Sequence, residues 1–361
     1  MVDVSVIIPT LNEAETIGIC IRKVQEVFKQ YGIEGEIIVA DNSEDDTPKI
    51  AESLGARVVT PDRRGYGYAY LYGFRFARGR YIVMGDGDDT YDFLEMPRLL
   101  EPLMKGEADL VIGSRFKGKI EKGAMPWLHR WIGNPILTWF LNLFFKAGVS
   151  DAHCGFRAIK REALERLGLG AEGMEFASEM IIEAVRHGLR IKEVPLTYRA
   201  RRGGRSKLSS FSDGWRHLRF MLLHTPTYLF IYPGFILLGL GVLLIASTLF
   251  NLYVGYVPGV HSMVAGSLLT LIGYQALFFG LFAKILEGER LPGFLTLERG
   301  ATMGALIFMI GLAWTIKLVL RWMGGGGLPQ IEHSLAGFVL IVLGLETFFS
   351  SFMLSIVLGR R

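Results

Sequence analysis

Four long apolar segments occupy the chain after Thr227, at about Tyr228–Leu249, His261–Lys284, Ala301–Leu320 and Leu335–Leu358. Each is close to the roughly 20 residues that a helix needs to cross a bilayer. They divide the 361 residues into a globular part, about residues 1–225, and an all-α membrane part of four helices, 226–361. The connectors differ in charge. Asn251 to Val260 and Trp322 to His333 hold no Lys or Arg, whereas Lys284, Arg290 and Arg299 fall in one connector and the chain ends Arg360-Arg361. Basic connectors face the cytoplasm. The expectation is therefore a multi-pass membrane protein with its globular part and C-terminus cytoplasmic. Glu346, within the last span, is expected to face a neighbouring helix. No clean Gly-x-x-x-Gly pattern calls for a dimer, and a homo-oligomer stays open.

Hydrophobic residues make up 50% of the chain and charged residues 20%, an apolar excess concentrated in the membrane part. A net charge of +4 is too small to argue for a nucleic-acid partner. The basic residues cluster instead around Arg199 to Lys207. Cys20 and Cys154 have no CxxC spacing, which fits a reducing compartment without a disulfide framework. The N-terminus runs straight into a strand pattern at Val4 to Ile8, so no cleavable signal peptide is expected.

The globular part is ordered around Tyr81-Ile82-Val83-Met84-Gly85-Asp86-Gly87-Asp88-Asp89-Thr90. Tyr81 to Met84 is a short apolar run between Gly79-Arg80 and a Gly/Asp cluster, which reads as a buried strand. In open α/β sheets ligands bind at the C-terminal ends of strands, and carboxylates appear abruptly there. Asp86 and Asp88, with Gly87 between them, can converge on one hard cation. Mg2+ takes only one or two protein carboxylates plus substrate phosphates. The stretch thus reads as an Asp-x-Asp clamp on a metal diphosphate, or as an Asp/Gly-rich turn.

The rest of the globular part supports the first reading. Val4 to Pro9 is a strand, and Thr10-x-x-Glu13 has the form of a helix capping box. Ile17, Ile21, Val24 and Phe28 recur at helical spacing. Glu36–Ala40, Ala56–Thr60, Asp109–Gly113 and Ile191–Tyr198 read as further strands. Pro48 suits a first helical turn, Arg63 to Tyr68 opens a helix, and Glu172 to His187 is another. Strands alternating with helices argue a doubly wound, mostly parallel α/β sheet. Asn12, Glu13, Asp41, Gly65 and Asp86 all fall at strand C-terminal ends. The first βα turn lacks G-x-G-x-x-G, against a dinucleotide-binding oxidoreductase. His153-Cys154 has no second pair at zinc spacing and reads as turn residues. Two amphipathic stretches, about 126–146 with Pro135 as a kink and about 208–224, suit a membrane interface.

Pro9-Thr10-Leu11-Asn12-Glu13, Asp41, Arg64-Gly65-Tyr66-Gly67, Asp86-Gly87-Asp88 and Gly113-Ser114-Arg115, in this order, resemble the family-two glycosyltransferases with the GT-A fold. Cys154-Gly155-Phe156-Arg157-Ala158, Arg205-Ser206-Lys207-Leu208, the interface stretches and the spans narrow the likeness. The chain is similar to the polyprenyl-phosphate glycosyltransferases: dolichyl-phosphate mannose or glucose synthases and their bacterial relatives. The likeness covers about Val4 to Leu223. It implies that Asp41 contacts the nucleotide base, with Pro9, Asn12 and Glu13 near base and ribose and Gly65 on the donor side. It implies that Asp86 and Asp88 hold Mg2+ or Mn2+. Related mannose synthases carry Gln two residues beyond the second Asp. Thr90 stands there in this chain, so Thr90, Asp89 or water would complete the metal site.

Arg115, Arg130 and Asn134 would bind the lipid phosphate, because Arg offers bidentate donors to phosphate oxygens. Arg157, Arg202, Arg205 and Lys207 are candidates for either phosphate. The run from Arg199 to Lys207 also suits an anionic membrane surface. Glu179 is either a sugar-hydroxyl partner or an exposed helix glutamate. Asp88, Arg115, Arg130 and Arg157 would carry the chemistry.

The activity implied is transfer of a hexose from GDP-mannose or UDP-glucose to a polyprenyl (dolichyl) phosphate with inversion. Two other readings are a processive polysaccharide synthase and a non-catalytic membrane protein that binds nucleotide sugar. The first lacks a Gln-x-x-Arg-Trp motif. The second would not need both Asp86/Asp88 and the arginines.

Overall fold

The computed structural model describes residues 2–202, 210–253, 255–289, 292–293 and 295–359. Two compact units divide the chain, Met1–Met221 and Leu222–Arg361. The first is built on seven strands: β1 Val4–Thr10, β2 Gly35–Asp41, β3 Arg57–Val59, β4 Tyr81–Met84, β5 Leu110–Ile120, β6 Arg157–Lys160 and β7 Ile191–Tyr198. Their order is β3-β2-β1-β4-β6-β5-β7. β1 pairs in parallel with β2 and β4, β2 with β3, and β5 with β7. β6 alone runs against its neighbours β4 and β5. This is the doubly wound, mostly parallel sheet expected of a GT-A fold, with one reversed strand that the sequence pattern does not announce. β6 is four residues long and follows a loop, so it offers no alternation to read.

The reversal matters for what gathers at one sheet edge. Met84, the last residue of β4, is opposite Arg157, the first of β6. Ile112 of β5 faces the same Arg157. The loops after β1, β2, β4 and the middle of β5 therefore share that edge with the loop that precedes β6.

Among the described residues eight helices accompany the sheet: α1 Ile17–Tyr31, α2 Thr47–Ser53, α3 Tyr66–Phe74, α4 Met96–Met104, α5 Asn134–Phe145, α6 Arg161–Leu164, α7 Phe176–Arg186 and α8 Ser210–Leu223. α1 buries Ile17, Ile21 and Val24, as its spacing predicts. The capping box expected at Thr10 and Glu13 does not form. The helix starts later, at Thr16, whose hydroxyl donates to the carbonyl of Gly87 at 2.8 Å. Thr10 closes β1 and donates to Asp41 instead. A π-type turn, His129–Gly133, runs directly into α5. Pro135 lies at the start of α5, directly after the π-type turn, and the helix continues through it; wide turns of this kind accommodate a residue that cannot donate. Trp127, Trp131 and Trp139 are exposed along this stretch while Leu141 is buried; in α8 Trp215 is exposed while His217 and Met221 are buried.

The second unit holds α9 Tyr232–Leu249, α10 Val260–Leu286, α11 Leu297–Met323 and α12 Ile331–Gly359. Counting the turn before α9, the four spans are Thr227–Leu249, Val260–Leu286, Leu297–Met323 and Ile331–Gly359, each long and apolar enough to cross a membrane. α9 packs on α10, and α11 on α12. Both pairs meet along glycines seven residues apart. Gly234 and Gly241 of α9 lie on Gly273 and Gly266 of α10, and Gly304 and Gly311 of α11 lie on Gly344 and Gly337 of α12. A Cβ on Gly304 would sit 2.5 Å from the Phe348 nitrogen. Small residues allow such close approach of membrane helices; the shared period is seven, and α11 adds Gly300, four residues before Gly304 and set against Ser351 of α12, a Gly-x-x-x-Gly pair that begins just before the apolar segment read from the sequence. Tyr274 Oη and Thr347 Oγ1 bond at 2.6 Å between α10 and α12. Beside Thr347 in sequence, one oxygen of Glu346 is buried without a hydrogen-bond partner among the described residues.

Candidate active site

β4 is buried along its whole length, and the chain leaves it through Gly85 into the acidic loop. Asp86 lies on the floor of a cavity of about 920 Å3, open to the cavity but remote from bulk solvent. Its Oδ1 accepts a hydrogen bond from Tyr66 Oη at 3.1 Å. Burial, and then the neighbouring Asp88 carboxylate, push Asp86 up to about 7, against the pull of Tyr66, Arg115 and Arg201. Asp88 is held on both sides. Its Oδ1 accepts from Thr90 N (3.1 Å) and Thr90 Oγ1 (2.6 Å). Its Oδ2 accepts from Arg201 Nε (3.1 Å) and Nη2 (2.5 Å). Arg201 also lies 3.7 Å from Glu13.

The segment after β7 covers this loop. Arg199 N donates to Thr90 O at 2.9 Å, and its guanidinium pairs with Asp92. Arg202 lies 3.3 Å from Asp89. From below, Lys23 reaches Asp89 at 2.5 Å and Asp92 at 3.1 Å. Asp89, fully buried, takes a left-handed backbone at φ 57°. Asp89 is thus committed to cations of the protein.

Among the described residues no three His, Cys, Asp or Glu side chains form a metal cluster. Two carboxylates, one with an oxygen free of hydrogen bonds among the described residues, match the way Mg2+ is held when substrate phosphates supply the other ligands. Thr90, expected as a third ligand, spends its hydroxyl on orienting Asp88.

On the donor side Pro9, Thr10, Leu11, Glu13, Asn42 and Gly65 line the cavity. Asp41 and Asn12 do not line it. Asp41 accepts from Thr10 Oγ1 (2.6 Å), Ser43 Oγ (2.5 Å) and Ser43 N (3.1 Å). Asn12 staples two loops, its N donating to Ser43 Oγ and its Oδ1 accepting from Glu44 N. Asn42, beside Asp41, is the residue that the sequence pattern passes over.

The arginines separate into distinct groups. Arg115 lines the cavity, but its Nε and Nη2 form a two-pronged pair with Asp151, both at 2.7 Å, and it packs on the Tyr198 ring. Arg157 is 1% exposed. It donates to the carbonyls of Cys154 (2.7 Å), Ala177 (2.7 Å) and Ala152 (2.8 Å), so it frames the loop before β6 and does not line the cavity. Arg130 lies over the Trp131 ring and, like Arg202, is not part of the lining. Asn134 is. Arg205 and Lys207 lie outside the described residues. Glu179 accepts from Gly170 N and Ala171 N and is not a cavity residue.

A second cluster lies in the cavity wall. His153 and His217 meet edge to face at 4.4 Å and share the Ser178 hydroxyl, at 3.4 and 2.8 Å. Burial, then the adjoining His217, Arg115 and Arg157, hold His153 well below the usual histidine range. Burial holds His217 down to about 4. Both rings are neutral at pH 7. Arg216, from α8, lines the cavity beside them. Nothing in the local sequence pairs His153 with His217; the tertiary fold does.

Two family models match the chain. Glycosyl transferase family 2 matches residues 5–168, and the glycosyltransferase family 2 C-terminal transmembrane region matches residues 288–358. The low-salt glycan biosynthesis hexosyltransferase Agl6 of Haloferax volcanii is 47% identical over 363 aligned positions, covering 97% of this chain and 88% of that protein. A dolichyl-phosphate hexose transferase of the same organism is 33% identical over 214, covering 59% of this chain and 89% of that protein. Among solved structures, the Mycobacterium tuberculosis glucosyl-3-phosphoglycerate synthase with Mn2+, UDP and glucosyl-3-phosphoglycerate is 27% identical. It superposes with a TM-score of 0.51, over 62% of this chain and 80% of that one. The chain belongs to glycosyltransferase family 2, as an integral membrane member that carries the C-terminal transmembrane region of that family.

Proposed function

We propose that this glycosyltransferase moves a hexose from a nucleoside-diphosphate sugar to a polyprenyl (dolichyl) phosphate, with inversion in a single displacement. One observation carries the reading. The cavity that begins at Asp86 and Asp88 continues to Met125, His129, Asn134 and Arg216, on the stretches that expose Trp127, Trp131, Trp139 and Trp215. Amphipathic elements of this kind lie in a membrane interface, where a lipid phosphate would be presented. The relatives named above, one a dolichyl-phosphate hexose transferase, support the acceptor class.

The chemistry needs little from a base. A phosphate monoester has a second pKa of about 6, so the acceptor is largely dianionic at neutral pH and attacks the anomeric carbon itself. The neutral His153 and His217 fit a site without a required general base. Asp86 and Asp88 would hold Mg2+ or Mn2+, which when bound neutralises charge on the leaving diphosphate. The Mn2+ in the neighbouring synthase complex supports that choice. Pro9, Glu13, Asn42 and Gly65 would seat the nucleotide, with Asp41 and Asn12 fixing the loops beneath it. Arg115 and Asn134 would meet the acceptor phosphate at the wall. Arg130 and Arg202 would reach it only by movement of their segments.

The test pairs GDP-mannose, UDP-glucose and UDP-galactose with dolichyl phosphate on detergent-purified protein, with Mn2+ or EDTA. The expected result is a lipid-extractable, metal-dependent sugar phosphate from one donor, with a β linkage from an α-linked donor. Nucleotide-sugar binding without any lipid-linked product would overturn the proposal.

A further inference from the structure

The two carboxylates after β4 are each oriented by one hydroxyl, and only one of these hydroxyls comes from their own loop. Thr90 holds Asp88. Asp86 has no such helper nearby in sequence. Its Oδ1 is held by the Tyr66 hydroxyl at 3.1 Å, and Oδ2 has no hydrogen bond among the described residues. We propose that Tyr66 is the positioning residue for the metal-diphosphate site: it fixes the Asp86 carboxylate so that Oδ2 is presented to the divalent cation. This rests on the reading of Asp86 and Asp88 as metal ligands.

The surroundings are built to put that hydroxyl there. Tyr66 opens α3, and the helix start is pressed onto the irregular backbone of residues 171–173. A Cβ on Gly65 would come 2.5 Å from the Glu172 carbonyl oxygen, and Tyr68 N donates to the same oxygen at 3.0 Å. The Tyr66 ring stands edge-on to Tyr70 at 5.2 Å, and Tyr70 stacks on Phe176 at 5.5 Å. Gly155 keeps the opposite side open. A Cβ there would lie 2.8 Å from Asp86 Oδ2 and 2.9 Å from Tyr66 Oη, filling the space beside the free oxygen.

The kind of donor matters. Arg201 brings a full positive charge to Asp88 and so competes with an incoming cation. A neutral phenol orients Asp86 without cancelling its charge, and its bond to Oδ1 is compatible with ligation through Oδ2. Hydrogen-bond partners behind metal ligands typically account for a 10–100-fold difference in metal affinity.

The experiment is a Mn2+ titration of the detergent-solubilised full chain, read by loss of the free-Mn2+ electron paramagnetic resonance signal, with UDP and separately with GDP. Tyr66→Phe keeps the ring and removes only the hydroxyl; it should weaken Mn2+ binding by about 10–100-fold. Its turnover should recover at high Mn2+ with the donor KM unchanged. Tyr68→Phe removes a hydroxyl of the same helix that is directed to Asp62 and not to the acidic loop, and should bind Mn2+ like the parent. Parental affinity in Tyr66→Phe together with lost affinity in Asp86→Asn would overturn the role of Tyr66 alone. Parental affinity in Asp86→Asn and Asp88→Asn as well would overturn the ligand reading and this proposal with it.

Discussion

Arg157 is a buried positive charge hydrogen-bonded to three main-chain carbonyls and, among the described residues, to no carboxylate. Stripping its donors would strand those carbonyls in the core, at about 1–3 kcal/mol each. Arg157→Met should therefore lower stability by about 3 kcal/mol or more, visible as a drop in melting temperature of the solubilised protein. Asp88→Asn should act in the opposite sense. It should leave the melting temperature near the parental value while abolishing transfer. A stable Arg157→Met with lost activity would return Arg157 to the chemistry. At this scale Asp86 and Asp88 stand out in the sequence as carboxylates directly after an apolar run, and the structure places both in the cavity lining. The expectation that Arg157 meets a phosphate contrasts with its place on three backbone carbonyls, because an arginine in a motif looks the same whether it meets a phosphate or the backbone. Nothing local distinguishes Arg115 free from Arg115 locked to Asp151, 36 residues away.

Among the elements, α8 is tied to the sheet unit through a neutral histidine. His217 titrates near 4, against 6.5 in an unfolded chain. Between these values the unfolded chain binds more protons, so stability is complete above about pH 6.5 and falls as pH drops toward 4. The groups facing the ring are Ser178, His153, Asp213 and Arg157. At pH 5 the loss from His217 alone is about 2 kcal/mol. Melting curves of His217→Gln should depend less on pH between 7 and 5 than those of the parent; equal slopes would contradict the assignment. In the membrane unit, Gly304→Leu should push α11 off α12 and cost about 1–3 kcal/mol by overpacking, read as a lower melting temperature in detergent. Leu substituted at the exposed Gly239, with open space beside it, should cost little. The spans and the parallel strands were legible from length and period. β6 was not, since four residues running backwards carry no period of their own.

For the whole molecule, the charge of the connectors predicts that the Asn251–Val260 side is external and the Glu289 side cytoplasmic. Cys20 and Cys154 are fully buried, so an added cysteine reports cleanly. Tyr253→Cys should react with an impermeant maleimide on intact cells and Glu289→Cys only after permeabilisation; the reverse pattern would put the catalytic unit outside. The central claim is that Asp86 and Asp88 present a metal diphosphate to a lipid phosphate in one cavity. The most direct measurement is transfer of labelled hexose into the lipid phase by the purified chain, parent and Asp88→Asn, with Mn2+ and with EDTA. The account predicts product only for the parent with Mn2+. Product from Asp88→Asn, or from the parent in EDTA, would contradict it.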